Sequence, residues 1–160
     1  MPGIALVTGA TGYVGGRLVN ELLIAGWQVR ILARSPEKLR GTAWADNVTV
    51  IEGDITNEAD VRAAMRGASV AYFLVHALQH GQQFDQTETG MAKVFAAAAQ
   101  QESISRIIYL GGLAPDIAVD QMSVHMRGRV NVGAELAASG IPTAEFRASI
   151  IIGSGERSCS

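Results

Sequence analysis

The segment "VTGATGYVGGRL", residues 7 to 18, constrains the possible fold more than any other stretch of the chain. A β-branched apolar run from Ile4 to Thr8 leads into it. A helical pattern leaves it, with Val14, Leu18, Val19, Leu22 and Leu23 on one face. A Cβ at Gly9 would obstruct the tight turn, and one at Gly12 would hold a phosphate away from the backbone. Gly15 lets the helix pack closely on the strand. The bare N–H groups and the dipole of the helix N-terminus then attract an anion. The expected ligand is a dinucleotide, with its diphosphate against Thr11, Gly12, Tyr13, Val14 and Gly15. The plainer alternative is a glycine-rich turn that only reverses the chain, and the strand before and helix after weigh against it.

Short β-branched runs continue to alternate with helical patterns. Strands are predicted at Ile4–Thr8, Gln28–Ala33, Val48–Glu52, Val70–Val75, Arg106–Leu110 and roughly Thr143–Ile151. Gly26 is placed to end the first helix. Asn57 can cap a helix carrying Val61, Ala64 and Met65, which stops at Gly67. Phe84, Met91, Val94, Phe95 and Ala98 form the stripe of a longer helix. Another runs through Val124, Val132 and Leu136 to Gly140, with Pro142 beyond to prevent continuation. The near-continuous apolar strands suit a parallel sheet covered on both faces. The alternation predicts an α/β fold: a doubly wound, Rossmann-like parallel sheet of six strands in the order 3-2-1-4-5-6, in three α/β/α layers.

Composition narrows the function classes. With 48% hydrophobic and 18% charged residues the chain reads as globular, and 160 residues fit one domain. The net charge of −2 and scattered basic residues give no reason to expect nucleic acid or an anionic membrane as a partner. Cys159 is the only cysteine, so no intramolecular disulfide forms. No secretory signal or apolar span is recognisable, and a cytoplasmic protein is expected.

The loop spacing is Gly-x-x-Gly-x-x-Gly. Together with "ARSPEKL", "GDIT", "YFLVH", "IIYLGGL" and "FRASIIIG" after or within successive strands, "TGATGYVG" resembles the extended and atypical short-chain dehydrogenase/reductases. The series looks like the atypical group of NmrA-like and other NAD(P)H-binding proteins, over essentially the whole chain. That resemblance implies a dinucleotide-binding domain at 1–160, followed in such proteins by a smaller substrate lobe. Either the chain is a fragment, or its pocket is open or completed by another subunit, so a homo-oligomer is one expectation. The resemblance also implies that Asp54 binds the adenine amino group beside Ile55. Val75 and His76 would line the path to the nicotinamide. Asp54 also precedes Asn57 closely enough to act as a helix N-terminal cap, and the two roles are compatible.

The end of the second strand reads Leu32-Ala33-Arg34, without the acid that usually chelates the ribose hydroxyls of NAD. A guanidinium there can hold a 2′-phosphate instead, so Arg34, with Ser35 and Lys38 nearby, argues for NADP(H) over NAD. The rival is a solvated Arg34 at a strand end.

Short-chain dehydrogenases typically use Tyr-x-x-x-Lys, and this chain has none. In its expected place stand His125 and Arg129, four apart and therefore on one helical face. Two readings stay open. In one, a reductase uses His125 as proton donor, with Arg129 on ribose or phosphate, to move hydride to or from a small carbonyl or alkene. In the other, a non-catalytic dinucleotide sensor or scaffold retains the two residues as a cofactor-facing remnant or on a solvated helix face. His76 and His80 are also four apart but lack a third ligand, so no metal is expected.

Overall fold

The computed structural model describes residues 2–76, 84–114 and 118–153, with only the backbone of 84–86. His80 and Cys159 lie outside the described residues. Six strands, β1 (Ile4–Thr8), β2 (Gln28–Ala33), β3 (Thr49–Glu52), β4 (Ala68–Phe73), β5 (Arg106–Gly112) and β6 (Thr143–Ala148), form one sheet in the order 3-2-1-4-5-6. Every pairing is parallel. The expected doubly wound sheet is therefore what the chain builds.

Four helices connect the strands: α1 (Tyr13–Ile24), α2 (Glu58–Met65), α3 (Phe84–Gln101) and α4 (Val124–Ala138). Their ends follow the local chemistry. Gly26 closes α1 at φ +83°, with Trp27 N–H donating to the Leu22 carbonyl and Gly26 N–H to that of Leu23. The Asn57 side chain accepts from Ala59 N–H at 2.9 Å and opens α2. The other end of α2 is held across the fold, because Arg30 of β2 donates to the Ala64 and Arg66 carbonyls at 2.7 Å each.

Alternate residues of β1 face two apolar clusters. Leu6 joins Phe73, Phe95, Tyr109, Val132 and Leu136 beneath α2, α3 and α4. Ala5 and Val7 join Val19, Leu22, Ile31, Leu39 and Trp44 beneath α1 and the β2–β3 connection. The first helical layer spans the sheet, whereas the second covers only part of it. Beside α1, over β4, β5 and β6, lies an apolar groove of about 430 Å³ lined by Val14, Leu18, Tyr72, Leu74, Ile108 and Phe146 among others.

Five strand boundaries differ from the sequence reading: β3 starts at Thr49 rather than Val48, β4 starts at Ala68 rather than Val70, β5 runs to Gly112 rather than Leu110, and β4 and β6 end early. β4 stops at Phe73 rather than Val75, since Leu74 N–H turns to the Thr8 hydroxyl at 3.4 Å instead of to a neighbouring strand. β6 stops at Ala148 rather than Ile151, where Leu113 N–H donates to the Ala148 carbonyl at 3.0 Å. Ile150 and Ile152 beyond it are exposed. β-branching marked them as strand, but they have no partner strand to pair with.

Candidate dinucleotide site

The sheet changes winding direction between β1 and β4, where one crossover leaves toward α1 and the other arrives from α2. Ligands of open α/β sheets bind at such a point, outside the C-terminal ends of the strands. Two cavities open there and meet at Gly9. One, of about 390 Å³, runs from the loop to the end of β2. The other, of about 300 Å³, runs from the loop toward β5 and α4.

The three glycines between them do three different things. Gly9 sits at φ +77°, where L side chains are strained, and a Cβ would lie 2.7 Å from the Leu74 carbonyl oxygen. At Gly15 a Cβ would run into the Gly9 carbonyl, so the first turn of α1 can touch β1's end only without one. Gly12 has φ −80° and ψ 166°, which any residue adopts, and a Cβ would meet only the Gly9 oxygen at 3.3 Å. Gly12 is therefore bare on the side of the cavity rather than for the backbone's sake. As N-cap it offers no side chain to the first N–H groups of α1, and no acid occupies the first turn. Those N–H groups and the positive end of the helix are left for a diphosphate, so the corner fits the group the sequence implied.

The first cavity is lined by Arg34, Ser35, Lys38, Ile55 and Val75, with Thr11 at the loop. Arg34 is largely exposed and stands 4.0 Å from the Asp54 carboxylate, a pair too solvated to contribute much stability. Asp54 itself caps no helix. Its Oδ1 accepts from Thr56 N–H at 2.8 Å and from the Thr56 hydroxyl at 2.7 Å, fixing the turn before α2. The Thr56 backbone bond is the main reason its carboxyl lies below the usual range. Gly53 and Ile55, its neighbours, line the cavity, and the Asp54 side chain does not.

The second cavity holds Tyr13, Val14, His76, Gly111, Arg129 and Ser149 among its lining. His76 has Glu88 of α3 at 3.9 Å from Nδ1, and Glu88 is buried. Burial and the Arg129 guanidinium pull the His76 imidazole from 6.5 down to about 4. Folded His76 is therefore neutral where an unfolded chain would already take up a proton. The stability this residue carries is complete above pH 6.5 and is lost as pH falls toward 4, by about 3 kcal/mol in all. In urea titrations at pH 7, 5.5 and 4, His76→Gln is expected to flatten the acid side of the midpoint profile. An unchanged slope would mean that the imidazole is hydrated.

His125 and Arg129, predicted together, are separated. Arg129 lines the second cavity, while His125 is exposed and lines neither cavity described above. The end of β5 explains this: a Cβ on Gly112 would sit 2.8 Å from Arg129 Cδ, so Arg129 is level with the last residue of the strand. His125 is one turn earlier, about 6 Å further along the axis and past the sheet. Ser123, the hydroxyl nearest to it in sequence, is the N-cap of α4 and accepts from Met126 N–H at 3.3 Å.

Three contributors escaped the sequence reading. Thr8, almost fully buried, ties the end of β1 to β4 by donating to the Tyr72 carbonyl at 2.9 Å. Tyr109 donates to the Arg129 carbonyl at 3.1 Å and so holds the backbone of α4 under its arginine. Burial, then Glu88, raises the Tyr109 hydroxyl above the usual tyrosine range. Glu88 is the third, and its burial is invisible in a helix pattern.

Comparison with known proteins agrees with this geometry. The chain is 34% identical over 139 residues to a (4-alkanoyl-5-oxo-2,5-dihydrofuran-3-yl)methyl phosphate reductase of Streptomyces griseus, covering 86% of this chain and 44% of that protein. It is 26% identical over 120 residues to a dihydroflavonol 4-reductase of Zea mays, covering 67% and 34%. The chain thus spans less than half the length of these relatives. Among solved structures, a Citrobacter sp. triphenylmethane reductase complexed with NADP(H) superposes with a TM-score of 0.72 at 22% identity, over 91% of this chain and 49% of that one. An NADPH-dependent quinone oxidoreductase from Escherichia coli, complexed with NADPH, does so with 0.70 at 25% identity, over 89% and 48%. The family model described as NAD(P)H-binding matches residues 9–139, from the first loop glycine to the end of α4. The chain belongs to that NAD(P)H-binding family.

Proposed function

We propose that the chain is the coenzyme-binding part of an NADP(H)-dependent oxidoreductase acting on a small carbonyl or alkene. The observation that carries the reading is the pair of cavities meeting at Gly9 beneath uncapped helix N–H groups. Gly12, Tyr13, Val14 and Gly15 would hold the diphosphate. Arg34, Ser35 and Lys38 would take the 2′-phosphate at the end of the first cavity. Arg129 and His76 would flank the nicotinamide end. The bound coenzyme supplies or accepts hydride, and the residues of this chain position it and surround the reacting atoms. No helix among the described residues is long and apolar enough to cross a membrane. Together with the composition, this supports a cytoplasmic role on a small molecule.

Titration calorimetry with NADPH and NADH tests the reading. Replacing Arg34 by alanine should remove charge-assisted bonds from the 2′-phosphate and weaken NADPH about tenfold or more, leaving NADH almost unchanged. Equal loss for both coenzymes would remove the 2′-phosphate assignment. Failure of both to bind would remove the function. A second reading, a dinucleotide sensor without turnover, is favoured by the exposure of His125 and by the missing Tyr-x-x-x-Lys pair. Coenzyme binding without NADPH oxidation across a carbonyl and enone panel, measured on the whole protein, would select it.

A further inference from the structure

The second cavity has an unusual charge inventory. Among the described residues its lining contains no carboxylate and one permanent cation, Arg129, whose guanidinium has no ion pair. The remaining polar side chains of the lining are Tyr13, His76 and Ser149. Glu88 approaches His76 from α3 but does not line the cavity. Glu145 of β6 is engaged by Arg147 at 3.0 Å. A half-buried guanidinium facing a cavity whose lining holds no carboxylate, with Glu88 behind His76 and Glu145 Oε1 behind Gly111, is matched by an oxygen that becomes negative during reaction.

We propose that the second cavity is an oxyanion site centred on Arg129, and that its substrates are conjugated carbonyls reduced at carbon through an enolate. The proposal rests on the NADP(H) reading above and adds the class of substrate. The β-carbon accepts the hydride supplied by the coenzyme. The π electrons of the C=C bond move to form the enolate, with its negative charge on oxygen beside Arg129. A solvent proton then adds to the α-carbon. One C–H bond is made from hydride and one from water, the C=C bond becomes single, and NADPH leaves as NADP⁺.

The alternative, reduction of an isolated carbonyl, produces an alkoxide, which is orders of magnitude more basic and requires a proton donor at oxygen. His76 is a poor one, since burial and Arg129 keep its imidazole neutral down to about 4, which leaves only the hydroxyls of Tyr13 and Ser149 in the lining. An enolate needs no such donor, only a fixed positive charge. Tyr109 supports that charge by holding the Arg129 carbonyl from beneath, and Met at 129 would leave this backbone contact intact.

The test uses 4-nitrophenol, a planar oxyanion former whose ionised state is coloured, together with saturating NADP⁺. The phenolate is expected to bind at least tenfold more tightly than the phenol, so that the yellow form appears about one pH unit below its value in buffer. Arg129→Met should abolish that preference, and Arg106→Met, which removes a cation at the opposite end of β5, should retain it. Calorimetry with NADPH is run on each protein beforehand. If NADPH does not bind the original protein, the NADP(H) reading is what fails. If NADPH binds and the phenolate preference is absent, or survives in Arg129→Met, the oxyanion site is overturned. On the whole protein, 2-cyclohexenone with NADPH in D₂O should give cyclohexanone carrying solvent deuterium at the α-carbon. Faster consumption of cyclohexanone than of the enone would overturn the substrate class.

Discussion

Valine at Gly12 is expected to leave the fold standing while weakening NADPH binding at least tenfold. Alanine at Gly15 should instead cost about 3 kcal/mol of stability. The difference follows from what each new Cβ would meet. At Gly15 it meets backbone, the Gly9 carbonyl and Ala10 Cα at 2.8 Å, so no rotamer relieves the overlap and α1 must move off the sheet. At Gly12 it meets only one oxygen at 3.3 Å, in ordinary extended backbone, and otherwise projects into space intended for the diphosphate. Alanine at Gly9 should resemble Gly15→Ala, with about 1 kcal/mol or more added for its positive φ. Urea unfolding and NADPH calorimetry on the three variants separate the two effects. A Gly12→Val protein that binds NADPH as tightly as the original would show that the loop holds something else.

Phe73→Ala should be the most damaging single core change, lowering unfolding free energy by about 3–5 kcal/mol. Phe73 is 1% exposed and packs edge-on to Phe95 at 5.1 Å and to Tyr109 at 6.0 Å between ring centres. Such pairs add to the area they bury. Its ring thus joins β4 to α3 and β5. It is also the last strand residue before Leu74, Val75 and His76, which form the floor of both cavities. The loss should therefore appear in urea titration and also in weaker NADPH binding to the protein that remains folded. A change under 1 kcal/mol would mean that α3 collapses into the space.

What could be read from the sequence was whatever local chemistry forbids or demands. Gly9 and Gly15 stand where no other residue fits, and Gly26, Gly67 and Gly140 take the positive φ that ends a helix or turn. Strand order followed from alternation and the handedness of crossovers. The parts that stayed hidden depend on distance across the fold. Arg30 looks like any strand arginine until α2 offers it two carbonyls. His125 and Arg129 share a helical face, as their spacing required, yet only one of them overlies the sheet. Helical periodicity gives an angle around the axis and says nothing of where the neighbouring strand stops. As a helix cap Asp54 was a plausible reading, but its Oδ1 instead fixes a turn with Thr56, which propensity alone does not distinguish.

The groove beside α1 also bears on how the molecule behaves in solution. Phe146 is 62% exposed at its rim, Ile24 of α1 is 73% exposed, and Leu113 follows β5 at 60%. Hydrophobic surface of this kind makes solubility sensitive to lyotropic salts, which strengthen the tendency of oily faces to leave water. Ammonium sulfate should therefore precipitate this chain at concentrations that the modest net charge alone would not explain, and mild detergent should reverse it.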